Sequence, residues 1–251
     1  SLMTQNAGAN AYNTAVGYHS GKLVTTGIKN TLMGGLSGDS ITSGQENTAV
    51  GYGTLIDNQT GDYCVAIGNL ALANSTVDYN TAVGYSAGTA VTTGVQNTLV
   101  GSLAGDALVD ADYNVAVGYA ALTADTYGSR NVAIGQAALY AQNFTTATDS
   151  YNTAVGHNAG NVLTTGIQNT LLGGLAGDAL TDADYNVAVG TSALTANTIG
   201  SKSIAIGHAA LAAQNPATAT DMYNTAVGEA AGATITTGLN NTLVGATAGN
   251  L

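Results

Sequence analysis

One short phrase, Asn-Thr/Val-Ala-Val/Ile-Gly, is written fourteen times along this chain. The copies begin at Asn13, Asn30, Asn47, Cys64, Asn80, Asn97, Asn114, Asn131, Asn152, Asn169, Asn186, Ser203, Asn224 and Asn241. Ten of the thirteen intervals are 17 residues, one is 16 and two are 21. A strand-sized apolar piece cannot bury its own hydrophobic face, whereas copies stacked at a fixed period near twenty residues bury a continuous core. The expected fold is therefore all-β, a parallel β-solenoid of 14 turns of about 17 residues. We expect a lead-in segment over 1–12 and one continuous solenoid over 13–251. No proline- or charge-rich linker divides it.

Numbering each turn from its Asn as position 0, position +1 is mostly Thr or Val, +2 is Ala or Leu, +3 is Val, Ile, Leu or Met, and +4 is always Gly. Alternate residues of a strand face opposite sides. The small +2 and +4 residues suit the tight interior of a narrow coil. The aliphatic stripe at +3 then points the other way: Val16, Met33, Val50, Ile67, Val83, Val100, Val117, Ile134, Val155, Leu172, Val189, Ile206, Val227 and Val244. Full burial of each such side chain is worth about 1.5–3 kcal/mol, and an apolar patch this long on a monomer marks an interface. The stripe is expected to lie against a partner chain.

Position +8 cycles Gly, Gly, Leu, Leu. Where it is Gly an aliphatic residue stands at +11, as at Val24 and Ile41, and where it is Leu, +11 is polar, as at Asn58 and Gln142. One large filler per turn from either position fits an interior of constant density. Four turns thus make a larger unit: 13–79, 80–151, 152–223 and a partial 224–251. Position 0 is a candidate structural ladder of Asn13, Asn30, Asn47, Asn80, Asn97, Asn114, Asn131, Asn152, Asn169, Asn186, Asn224 and Asn241. Stacked amides can hydrogen-bond from turn to turn as in cross-β stacks, although Asn also tolerates corner conformations. The Gly at +4 signals positive φ or close chain approach.

Charge narrows the function. Fifteen acidic residues oppose four basic ones, Lys22, Lys29, Arg130 and Lys202, for a net charge of −11. That balance argues against nucleic acid, whose binding needs several cations along each phosphate track, and against anionic membrane surfaces. No apolar run is long enough for a membrane span and no signal peptide opens the chain, so no membrane insertion is expected. Thirty-four glycines with a single proline do not make a collagen repeat, and 45% hydrophobic residues are too many for disorder. A single cysteine, Cys64, provides no intrachain disulfide.

The strings NVAIGQAAL (131–139), SIAIGHAAL (203–211) and NTAVGYSAG (80–88) resemble the head repeats of trimeric autotransporter adhesins, the YadA-like head. They are similar also to the repeat shafts of phage tail-fibre proteins, in which NTAVG and TTGxxN phrases alternate; here TTG ends at Gly27, Gly94, Gly166 and Gly238. The resemblance runs from about residue 12 to 250. It implies a left-handed β-roll with three chains side by side, and hence a homotrimer. One departure is the period, which is shorter in the adhesin heads. The neck, stalk and anchor segments of the adhesin kind are not among these 251 residues.

Candidate chemistry is sparse. His19, His157 and His208 fall in different turns and form no metal set, and no Cys or Ser has a His partner, so no catalytic or cofactor-binding residue is expected. The GDALxDAD phrases place Asp106, Asp110 and Asp112, then Asp178, Asp182 and Asp184, in single turns. They could hold Ca²⁺, but Asx-turn capping of tight corners accounts for them better. The two 21-residue turns end in 141–151 and 213–223, which carry the only Phe and Pro, and Phe144 and Pro216 are candidate contact-loop residues. A clasp onto a neighbouring chain or turn is an equal alternative. Tyrosines precede position 0 at Tyr12, Tyr79, Tyr113, Tyr151, Tyr185 and Tyr223; such a row could bind sugar rings or pack along a ridge.

These readings lead to a non-enzymatic structural or adhesive fibre segment on a virion or outside a cell, attaching to a host-surface glycan or protein by multivalent contacts. The alternative is a filament subunit stacking end to end, since Leu251 leaves the last turn unfinished and an uncapped coil exposes strand edges. An ice-binding solenoid, suggested by Thr at +1 in nine turns, and a spike glycosidase with paired carboxylates are lesser alternatives.

Overall fold

The computed structural model describes residues 1–6 and 10–250. Part of the lead-in segment and the last residue of the solenoid range thus lie outside the described residues. The fold is a parallel β-solenoid of 14 turns, with no helix among the described residues, divided into two compact units, Ser1–Ala120 and Ala121–Leu251.

In the first unit each turn contributes one three-residue strand: β1 (Thr14–Val16), β2 (Thr31–Met33), β3 (Thr48–Val50), β4 (Val65–Ile67), β5 (Thr81–Val83), β6 (Thr98–Val100) and β7 (Val115–Val117). They pair in chain order, all parallel and in register, so that Thr14 faces Thr31, Ala15 faces Leu32 and Val16 faces Met33. The second unit repeats the arrangement. Its long sheet orders β9 (Val132–Ile134), β11 (Thr153–Val155), β12 (Thr170–Leu172), β13 (Val187–Val189), β15 (Ile204–Ile206), β17 (Thr225–Val227) and β18 (Thr242–Val244). Two-residue strands add two small parallel pairs, β8 (Gly128–Ser129) with β10 (Thr148–Asp149) and β14 (Gly200–Ser201) with β16 (Thr220–Asp221).

β-Branched residues at +1 and +3 favour the extended backbone, and the alternation sends +2 inward. From the second turn to the thirteenth the +2 side chains, Leu32 to Ala226, are fully buried. The strand ends where Gly at +4 takes φ near +135°, as at Gly17 (134°) and Gly101 (137°). A Cβ on Gly17 would lie 2.4 Å from the carbonyl oxygen of Gly34, one turn on. Positive φ and close chain approach therefore act together, and only glycine meets both.

Each turn holds further left-handed residues at −1, +6 and +8, almost all of them other than glycine at −1 and +6. Inter-turn backbone hydrogen bonds fix the −1 corner: the Tyr113 N–H donates to Val95 O at 3.1 Å and the Tyr185 N–H to Ile167 O at 3.0 Å. At +8 both Gly88 (φ 60°) and Leu122 (φ 55°) share the conformation. The cycle of Gly and Leu there is set by the +2 column. Leu occupies +2 once in four turns, at Leu32, Leu99, Leu171 and Leu243, and its two methyls reach the +8 glycine of its own turn and that of the turn before. Leu99 lies over Gly88 and Gly105, and Leu171 over Gly160 and Gly177. Where +2 is Ala both in a turn and in the one after it, a +8 Leu such as Leu55 or Leu122 fills the same interior.

The lead-in residues join this pattern. Leu2 has φ 44° and donates its N–H to Ser20 O at 3.2 Å, while Asn6 N–H donates to Thr25 O at 2.8 Å. Leu2 thus takes the +8 place above the first turn.

Candidate functional surface

The position-0 ladder is internal. From Asn30 to Asn224 its asparagines are buried. The amides bond mainly to backbone, and only in part to each other. Asn97 Nδ2 donates to Ala111 O at 2.7 Å, and its Oδ1 accepts the N–H of Asn114 at 2.9 Å. Asn30 does the same with Gly44 O at 2.8 Å and the Asn47 N–H at 3.0 Å. Each side chain so satisfies two backbone groups that the turn buries. Direct amide–amide contacts exist, as between Asn97 and Asn80 at 3.2 Å, but they are supplementary. At the Cys64 turn the thiol replaces the amide donor, with Sγ 3.1 Å from Val77 O, and burial pushes the thiol pKa up to about 11.

Polar residues at +11 are buried as well. Asn58 Oδ1 accepts the Gly61 N–H at 2.7 Å, and Asn197 repeats the bond with Gly200 at 2.9 Å. Asp125 accepts from the Gly128 N–H, the Phe144 N–H and Gln142 Nε2. Gln142 and Gln214 in turn accept from Asn152 and Asn224 of the ladder, both at 2.9 Å. At +12 a row of threonine hydroxyls donates to carbonyls one turn on, such as Thr25 to Thr42 O at 3.1 Å and Thr164 to Thr181 O at 3.0 Å.

The surface that remains is the outer side of the long sheets. None of the fourteen +3 side chains is buried: eight, among them Val50, Val100 and Val189, are half-buried, and six are exposed, from 37% for Ile67 to 72% for Val244. Beside this stripe, exposed tyrosines stand at +5 in Tyr18, Tyr52, Tyr85 and Tyr119, with His157 and His208 in the same row of the second unit. On the other flank the −1 corner forms a ridge of exposed rings and charges. The tyrosines there are the six expected and also Tyr63, ahead of Cys64, which stacks on Tyr79 with centroids 5.2 Å apart and planes 5° apart. Three of the four basic residues occupy the same corner, each paired one turn on: Lys29 with Glu46 at 2.7 Å, Arg130 with Asp149 at 3.0 Å and Lys202 with Asp221 at 2.6 Å. The Asp221 partner raises the Lys202 pKa, and Lys202 in turn lowers that of Asp221.

The 21-residue turns correct an expectation. Phe144 is 8% exposed and Pro216 is buried, so neither projects as a contact residue. A Cβ on Gly128 would meet Phe144 Cδ2 at 2.9 Å, and one on Gly200 would meet Pro216 Cδ at 3.1 Å. The added residues clasp the preceding turn, which carries glycine where the ring sits. The exposed parts of these turns include Asn143 and Thr145 to Ala147, and Asn215 and Ala217 to Ala219.

The GDALxDAD aspartates tie turns together. Asp184 Oδ1 accepts the Ile167 N–H at 2.8 Å, Asp112 Oδ1 the Val95 N–H at 2.8 Å, and Asp110 and Asp182 accept threonine hydroxyls at 2.8 and 2.7 Å. The capping is between turns, and the local Asx bond falls to Asn58, Asp125 and Asn197. Among the described residues no three His, Cys, Asp or Glu side chains are grouped to hold a metal. His19 stacks on Tyr18 and lies 3.8 Å from Asp39, while His157 and His208 are exposed.

Two open grooves mark the second unit. One of about 600 Å³ is lined by Asp182, Asp184, Ser201, Ala219, Thr220 and Asp221. The other, of about 450 Å³, is lined by Tyr185, Val187, Lys202 and Ile204. The described residues include no helix long and apolar enough to cross a membrane. The chain matches no protein-family model, no curated protein and no solved structure.

Proposed function

We propose that this chain is a structural and adhesive fibre segment, in which copies pack side by side as a homotrimer and present their remaining surface for multivalent attachment. The observation that carries the reading is the aliphatic +3 stripe. It is repeated in all fourteen turns and none of its members is buried within the chain. Water contact along that whole row is costly, since each side chain has up to about 1.5–3 kcal/mol to gain from full burial. A second copy, carrying the same row at the same spacing, is the natural cover. The motif resemblance to adhesin heads and tail-fibre shafts supports three chains, a location outside a cell or on a virion, and a host-surface glycan or protein as the target. Hydrogen bonds between turns employ the polar residues so thoroughly that a rigid, non-catalytic role follows best.

Sedimentation equilibrium tests this. The expected mass is three times that of the 24.7 kDa chain, and Val100→Glu with Val189→Glu should reduce it to the single chain. A stable monomer of the unaltered protein at micromolar concentration overturns the reading. Mass that keeps growing with concentration supports the end-to-end filament in its place.

A further inference from the structure

We propose that Tyr63 and Tyr79 form a site of oxidative cross-linking, joined as dityrosine by a one-electron phenol oxidant of the peroxidase class. Coupling of two phenols requires their rings to stand close together and to be open to the oxidant. This pair meets both conditions: the stacked rings have centroids 5.2 Å apart and exposures of 41% and 53%. The chain holds thirteen tyrosines, and Tyr63 and Tyr79 stack ring on ring from successive turns.

The reason lies in the −1 corner. A tyrosine there normally has another residue type on the next turn: Tyr12 is followed by Lys29, and Tyr185 by Lys202. Only the turns opening at Cys64 and Asn80 place tyrosine at −1 in succession. The left-handed corners hold both rings in place, with φ of 58° at Tyr63 and 62° at Tyr79. The backbone register is fixed by hydrogen bonds from the Tyr63 N–H to Gln45 O and from the Tyr79 N–H to Asp62 O, both at 3.1 Å.

In the reaction each phenol loses one electron and its hydroxyl proton to give a phenoxyl radical. The two radicals join through a carbon–carbon bond between ring positions ortho to the oxygens. The hydrogen on each of those carbons then moves to its oxygen as a proton, restoring both phenols. The pair loses two hydrogen atoms in all, and hydrogen peroxide, accepting them, is reduced to two waters. The product is a covalent staple between two successive turns.

The test treats the whole protein with peroxidase and hydrogen peroxide and follows dityrosine fluorescence, denaturing gels and peptide mass mapping. The expected result is one dominant cross-link, within a single chain, between the peptides carrying Tyr63 and Tyr79. Tyr79→Phe and Tyr63→Phe should each remove at least nine-tenths of the fluorescence, and Tyr185→Phe should leave it unchanged. Cross-links spread over many tyrosines, cross-links mainly between chains, or fluorescence unaffected by Tyr79→Phe overturn the proposal. So does an absence of dityrosine under conditions that couple free tyrosine.

Discussion

Leu99 Cδ1 lies 2.7 Å from where a Cβ on Gly88 would stand, although the two residues belong to successive turns. The relationship explains the four-turn rhythm of the chain. A large residue at +2 forces glycine at +8 on both sides, and a small one admits leucine there. Volume is conserved along the coil by exchange between turns as well as within them.

The pair should behave as one packing unit. Leu99→Ala is expected to destabilise by about 2–5 kcal/mol, as large-to-small core changes do, and Gly88→Ala by about 1–3 kcal/mol through overpacking. Because Leu99→Ala clears the space that the new methyl needs, the double variant should cost less than the sum by about 1 kcal/mol or more. Denaturant unfolding of the four proteins checks this, and simple additivity would show that the side chains do not compete.

Gly84 offers a sharper contrast. Its φ is 145°, and a Cβ there would lie 2.3 Å from the Gly101 carbonyl oxygen, which is backbone and has no rotamer to yield. Gly84→Ala should therefore cost on the order of 3 kcal/mol or more, combining an unfavourable dihedral with a displaced strand. No substitution at another side chain should rescue it, unlike the Gly88 case. Thermal unfolding of Gly84→Ala in the Leu99→Ala background is the direct comparison.

Asn97 is expected to matter for what it completes in the backbone. Asn97→Ala strands the Ala111 carbonyl and the Asn114 N–H, each worth about 1–3 kcal/mol when buried without a partner. Asn143, exposed and bonded to the Thr126 hydroxyl, should tolerate alanine within about 0.5 kcal/mol. Equal losses at the two positions would contradict the assignment of the ladder to buried backbone.

Cys64 makes stability depend on pH in the alkaline range. The folded pKa is raised from 9.0 to about 11, chiefly by burial. The folded protein therefore holds this proton more tightly than the unfolded chain. The contribution is fully present below the unfolded pKa and is lost as pH rises from about 9 toward 11. Comparison of denaturation midpoints between unaltered protein and Cys64→Ser should show the extra alkaline loss only with the thiol. Native Cys64 should also react with thiol reagents at neutral pH at least about tenfold more slowly than the unfolded chain, because the thiolate is the nucleophile.

The sequence by itself determined the period, the strand, the inward +2 column, the outward +3 stripe and the glycine at +4. These follow from alternation along a strand and from steric limits on φ, both of which act over a few residues. Only the tertiary structure decided what lies above and below each residue. It turned the Asn97 amide toward the Ala111 carbonyl, seated Phe144 over Gly128 and buried the polar Asp125 among N–H donors. It also placed Tyr63 beside Tyr79. Those contacts join residues fourteen to nineteen positions apart, and their pairing depends on how each turn closes onto the next. A local phrase sets the shape of one turn; the vertical register between turns arises only when all of them close together.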